Sequence, residues 1–295
     1  MTCFLFTSFQ VKFLDKIKKV PRQVTLRHLC FCALFLAVIA FFVIEGIVKT
    51  SAPETPERLF AVILSNNYTR FKHSRRILKR NEVFEVRRKM PISYKSPVID
   101  GALNELNLNV TDIMSSFNMT ITQVKKTLSN ELTFIEALRA FSAEPSDVSK
   151  VNDWTFFFED DIALHSSVTD PIVAIRRGIL HAREDGILYL GICGPTCNGW
   201  ANPFQAVKIK RCYGSCAHAF GLAKWKVESF LQSVDILKGN MTDLHKLYFD
   251  RFLYAYGQKV KPVHVLDWNL ASPCNKHHKG IYYQDRSKFA SAIDN

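Results

Sequence analysis

From Leu29 to Val48 the chain is apolar except for Glu45 near its end, and no other feature limits the possible folds as much. About 20 residues of helix cross the hydrocarbon core of a bilayer, so this run divides the chain between two sides of a membrane. A cleaved signal sequence has a shorter apolar core and small residues at its exit. Here Phe41, Phe42, Val43 and Ile44 are kept, which reads as a retained signal anchor. Lys12, Lys16, Lys18, Lys19, Arg22 and Arg27 precede the run, whereas residues 50–57 are poor in bases. The amino terminus is therefore expected in the cytoplasm. The implied organisation is a cytoplasmic tail (1–28), an anchor (29–48), a stem with Pro53 and Pro56 (49–57), and a lumenal or extracellular domain (58–295), a single-pass type II arrangement.

Four N-x-Ser/Thr glycosylation acceptors, Asn67, Asn109, Asn118 and Asn240, all follow the anchor and agree with that orientation. The net charge is +12, but six bases against Asp15 belong to the tail, where they serve topology. Nucleic acid is thus excluded as a lumenal partner. The remaining cluster, Arg70, Lys72, Arg75, Arg76, Lys79 and Arg80 with Arg87, Arg88 and Lys89, is either a solvated helix face or a contact for an anionic ligand such as a nucleotide-sugar diphosphate. Five cysteines lie beyond the anchor: Cys193, Cys197, Cys212, Cys216 and Cys274. An oxidising compartment favours disulfides among them, leaving one thiol over; the doubled C-x-x-x-C spacing also admits zinc.

With 47% hydrophobic residues the lumenal part can fill a sizeable core. The run 58–65 is expected to be a buried strand, followed by a basic helix to about Arg80. Ser129 or Asn130 is expected to cap a helix to about Phe141, on whose face Phe134, Ile135, Leu138 and Phe141 fall. Thr169-Asp170-Pro171 is a helix start ended by Asp185-Gly186. Ile187 to Leu190 is expected as a strand running into a Gly191–Pro195 loop, and 196–216 as irregular. Ala217 to Leu222 is a further strand, 224–234 a helix, and Thr242 caps a helix with Leu244, Leu247, Tyr248 and Phe252 on one face. Residues 259–266 make a last strand, and the polar tail from Asp267 carries His277 and His278, a solvated pair or a late metal ligand. Alternating strands and helices imply an α/β fold with a mainly parallel sheet flanked by helices.

Trp154-Thr155-Phe156-Phe157-Phe158 ends in Glu159, Asp160 and Asp161. A buried strand delivering three carboxylates to its end has two readings: a solvated acidic turn, or a site where a hard cation bridges to phosphate oxygens. Ligands of α/β sheets bind beyond the carboxyl ends of strands, where these acids and Gly191 would lie.

The stretches Leu59 to Arg80, Phe156 to Ile162, Tyr189-Leu190-Gly191, Cys216 to Phe220 and Phe249-Asp250-Arg251 resemble glycosyltransferase family 25, the lipopolysaccharide-type and collagen galactosyltransferases, in a divergent form. The resemblance implies a GT-A type fold, a nucleotide-sugar donor, a divalent metal, usually Mn2+, and a Golgi or endoplasmic-reticulum membrane location. It implies that Glu159 and Asp161 hold the metal and that Asp160 contacts the ribose or is structural, with Gly191 and His218 on the donor side. The first acid of the triplet is Glu where the family motif has Asp. An inverting transfer to a glycan or glycoprotein acceptor needs a general base, for which Asp250 is the candidate; its other reading is an ion pair with Lys246 or Arg251. His218 is equally readable as a hydrogen-bonded structural histidine. A silent lumenal glycan-binding or partner-assisting domain, or an adhesion protein, would need only the fold and orientation.

Overall fold

The computed structural model describes residues 59–80, 84–145, 153–166, 168–198, 207–268, 278–285 and 288–289. The expected tail, anchor and stem, with Cys274 and His277, lie outside the described residues. Among the described residues no helix is long and apolar enough to cross a membrane.

The chain runs β1 (Leu59–Leu64), α1 (Tyr68–Lys79), β2 (Phe84–Lys89), α2 (Pro97–Glu105), α3 (Val110–Phe117) and α4 (Ile121–Ala143). It continues through β3 (Trp154–Glu159), β4 (Ile162–Leu164), α5 (Pro171–Ala182), β5 (Ile187–Asn198), β6 (Val207–Ala223) and α6 (Lys224–Gly239). A 3-10 turn (His245–Leu247), α7 (Phe249–Lys259), β7 (Val263–Trp268), β8 (His278–Gly280) and β9 (Tyr282–Gln284) complete it. One mixed sheet has the strand order β2-β1-β3-β6-β7-β5-β8, with β5 also paired to β6. The parallel component expected from the alternation is β1 with β2, β1 with β3, and β5 with β7. The pairings of β6 with β3, β5 and β7, and of β5 with β8, are antiparallel.

β3 lies between β1 and β6, covered on both faces, which is why its residues read as a continuous apolar run. Successive side chains of a strand point to opposite faces. Trp154, Phe156 and Phe158 pack with Phe71 and Leu78 of α1 and Ile175 and Ile179 of α5. Phe157 packs on the other face with Phe134 and Leu138 of α4, Phe230 of α6 and Phe252 of α7. Burying a phenylalanine contributes roughly 1.5–3 kcal/mol, and all three are fully buried. Their anchoring sets the height at which the following acids leave the sheet.

The helix starts at 171 and 224 and the strand at 59 form as the sequence indicates. Four regions differ. α4 begins at a capping box, Thr120 with Gln123, and runs 23 residues. Ser129 is consequently inside the helix, where its Oγ donates to the carbonyl of Ile92 instead of capping. Residues 191–198 and 207–216 are strand where loop and irregular chain were expected: β5 and β6 continue as an antiparallel pair, tied by disulfides Cys193–Cys216 and Cys197–Cys212. These covalent ties satisfy the cysteines and remove the thiolates that zinc would need. Beyond Thr242 the helix is broken. Tyr248 is extended (φ −115°, ψ 116°), so α7 starts afresh and places Phe249 in the core. The segments 84–89, 278–280 and 282–284 supply strands in stretches whose basic or polar sequence hid them.

Candidate functional site

β1 and β3 are parallel, with Leu64 opposite Glu159, so their carboxyl ends open side by side. Ser65 follows β1 and Asp160 follows β3, and Ser65 Oγ donates to Asp160 Oδ2 at 2.5 Å. Arg70, in the first turn of α1, reaches Asp160 Oδ1 at 2.7 Å and Asp161 Oδ2 at 3.5 Å. Ser74, one turn further along, donates to the Asp160 carbonyl at 2.9 Å. The turn carrying the acids is thus tied to β1 and α1, and the Asp160 carboxylate is occupied by those ties. Burial pushes the Asp160 carboxyl up, opposed by Ser65 and Arg70. The basic cluster seen in the sequence therefore divides: Arg70 belongs to the acids, while Lys72, Arg75, Arg76, Lys79 and Arg80 are exposed.

Glu159 leaves β3 on the face of Phe157, two residues before it. Across the sheet Phe157 pairs with Phe220, and Phe220 with Tyr189, so one row leads from the acid strand to β5. Phe249 of α7 stacks on Phe134 in the same cluster, with centroids 4.7 Å apart. Its neighbour Asp250 is thereby delivered to the carboxylates. Glu159 retains some solvent-accessible surface, yet protein atoms crowd it enough that burial is the largest influence on its carboxyl. Burial, then the charges of Asp161 and Asp250, push it up to about 8, against a hydrogen bond from Gln284 of β9. Asp250 is also pushed up by burial, opposed first by Arg251. Its Oδ2 accepts from the Cys216 N–H at 3.4 Å, and its Oδ1 has no hydrogen-bond partner. The Tyr189 hydroxyl is buried without a hydrogen-bond partner, and burial together with the Asp250 charge holds it well above the ordinary phenol range.

The structure thus brings Glu159, Asp161 and Asp250 into one electrostatic group from two distant parts of the sequence. Lys246 is not the partner of Asp250; it pairs with Asp243 at 3.1 Å. His218 is fully buried in β6, with Nε2 3.4 Å from the Tyr282 carbonyl. Gly191 lies within β5, packed so closely that a Cβ there would meet His218 and the Tyr282 carbonyl. Both sit where β5, β6 and the 278–284 segment meet. Cys193, Cys216 and His218 form the one trio, among the described residues, with potential ligand atoms within 4.8 Å of one another, but the two sulfurs are joined in the disulfide. Cys216 adopts a positive φ of 73°, a left-handed turn that aims its N–H at Asp250. Asn67, Asn109, Asn118 and Asn240 are all exposed.

Two oxygen-donor side chains and raised carboxyl pKa values suit a hard divalent cation, which takes one or two protein carboxylates and completes its shell from phosphate and water. The sequence reading missed Ser65, Ser74, Tyr189 and Gln284. Ser65 had a signal, as the polar residue ending the first strand, whereas Gln284 lay in a tail with no chemical pattern. No protein-family model matches the chain, and no curated protein matches it.

Proposed function

We propose that this chain is a membrane-anchored, metal-dependent glycosyltransferase with a GT-A-like fold, transferring a hexose, of galactose type, from a nucleotide sugar to a glycan or glycoprotein. The observation that carries this reading is the grouping of Glu159 and Asp161, at the carboxyl end of a buried strand, with Asp250 of α7, acids near enough for Asp161 and Asp250 to raise the Glu159 carboxyl. Glu159 and Asp161 would hold the cation, usually Mn2+ in the family that the sequence resembles. When bound, such a cation neutralises charge on the departing diphosphate. Asp250, raised by burial, is suited to accept the acceptor hydroxyl's proton during an inverting displacement. Asp160, held by Ser65, Arg70 and Ser74, fixes the turn on which its neighbours stand. Gly191 and His218 define the wall facing the hairpin, on the donor side in this reading. The anchor places the domain on the lumenal side of a Golgi or endoplasmic-reticulum membrane.

A second reading has one observation in its favour. Arg70 already reaches Asp160 and Asp161, as it would in a lumenal glycan-binding or partner-assisting domain without turnover. Donor hydrolysis separates the two. The purified chain with Mn2+ should hydrolyse at least one common nucleotide sugar, Asp161→Ala should lose metal-dependent nucleotide binding, and Asp250→Asn should bind donor but not transfer. Absence of both turnover and metal-dependent nucleotide binding would leave the second reading standing alone.

A further inference from the structure

The outer face of α1 has no role in the carboxylate site. Lys72, Arg75, Arg76, Lys79 and Arg80 are all exposed, and the helix contains no acid. Among the described residues none of the five makes an ion pair. Several other bases of the domain do have acids: exposed Arg87 with Glu144, and half-buried Lys89 with Glu136 and Lys125 with Asp100. Lys72 and Arg76, Arg75 and Lys79, and Arg76 and Arg80 stand one helical turn apart, a spacing at which like charges destabilise a helix. Bases near the helix carboxyl end offset part of that through the helix dipole, but Lys72 lies in the first half. The face is therefore self-repelling and relieved by an external anion.

We propose that this face binds a linear, sulfated polysaccharide. At 1.5 Å per residue the five bases extend over about 12 Å, longer than a single phosphate and matched by a chain of repeated anions. Three of the five are arginines, whose planar donor fork fits tetrahedral oxyanions. A membrane surface fits less well. A helix lying in the headgroup layer needs a free apolar face, and that of α1, with Phe71 and Leu78, is committed to the core. The proposal depends on the lumenal placement but not on sugar transfer, so either can fail without the other.

The test uses the full chain in neutral detergent on immobilised heparin. Replacement of all five bases by glutamine, which retains helix propensity, should weaken heparin binding more than about tenfold near 0.15 M salt. Replacement of the six tail bases should leave most of it. Heparin should also protect Lys72 and Lys79 of the unmodified protein from amine acetylation, a readout that needs no variant. Unchanged binding by the five-site variant, equal binding to fully desulfated heparin, or no protection of these lysines overturns the proposal. So does a five-site loss seen with phosphatidylserine vesicles but not with heparin, which assigns the face to a membrane.

Discussion

Replacing Glu159 by glutamine removes an ionisable carboxyl from the group at the end of β3 while keeping the shape and a hydrogen bond with Gln284. In the folded protein this carboxyl is raised from 4.5 to about 8, by burial first and then by Asp161 and Asp250. A raised folded pKa means that the native state keeps a proton which the unfolded chain releases. The associated stability is fully present below pH 4.5 and is lost as pH rises towards 8. At pH 7 the unfolded group is ionised while the folded one still holds its proton, at a penalty of about 3 kcal/mol. Partial solvent contact screens the neighbouring charges and makes this an upper limit. Glu159→Gln should therefore be more stable than the native sequence by up to about 3 kcal/mol at pH 7 without divalent cations, raising Tm by roughly 6–12 °C. At pH 4.5 the two should coincide. Urea and thermal unfolding followed by circular dichroism in chelator, at pH 4.5, 6, 7 and 8, measures the difference. A gain that is absent at pH 7, or equally large at pH 4.5, would refute the electrostatic argument. In the metal reading Mn2+ should stabilise the native protein and not the variant.

Other outcomes follow from the packing. Glu131 of α4 is fully buried with Lys238 Nζ at 2.6 Å, so Lys238→Met should cost about 3–5 kcal/mol in urea unfolding, and adding Glu131→Gln should restore most of it. Gly191→Ala would set a Cβ 2.5 Å from the Tyr282 carbonyl, and overpacking there should destabilise by about 2 kcal/mol or more, with faster amide exchange in β8 and β9. Expression in a glycosylating secretory host should give a mobility shift removed by peptide-N-glycosidase and by replacing Asn67, Asn109, Asn118 and Asn240 together. Absence of any shift contradicts the lumenal orientation.

The sequence alone determined the mixed α/β character and the central strand, because four aromatics and one β-branched residue in five positions before acids leave few alternatives to a strand covered on both faces. It also determined the start of α5, where the Asp170 side chain accepts the first free amides. Such signals are local and survive without the fold. The β5–β6 hairpin was illegible, since glycines, a proline and cysteines read as a loop until two disulfides, linking residues 23 and 15 apart, tie them into strands. The candidate site was half legible: the acidic triplet announced itself, and Asp250 was singled out. Only the tertiary structure set the surroundings of each acid. Arg70 and Ser65 take up Asp160, while the pleat turns Glu159 towards the cluster in which Phe249 is buried, bringing Asp250 alongside. Sequence records the charges, but burial and distance set their energies, and both arise only when α7 and β3 pack against the same aromatic row.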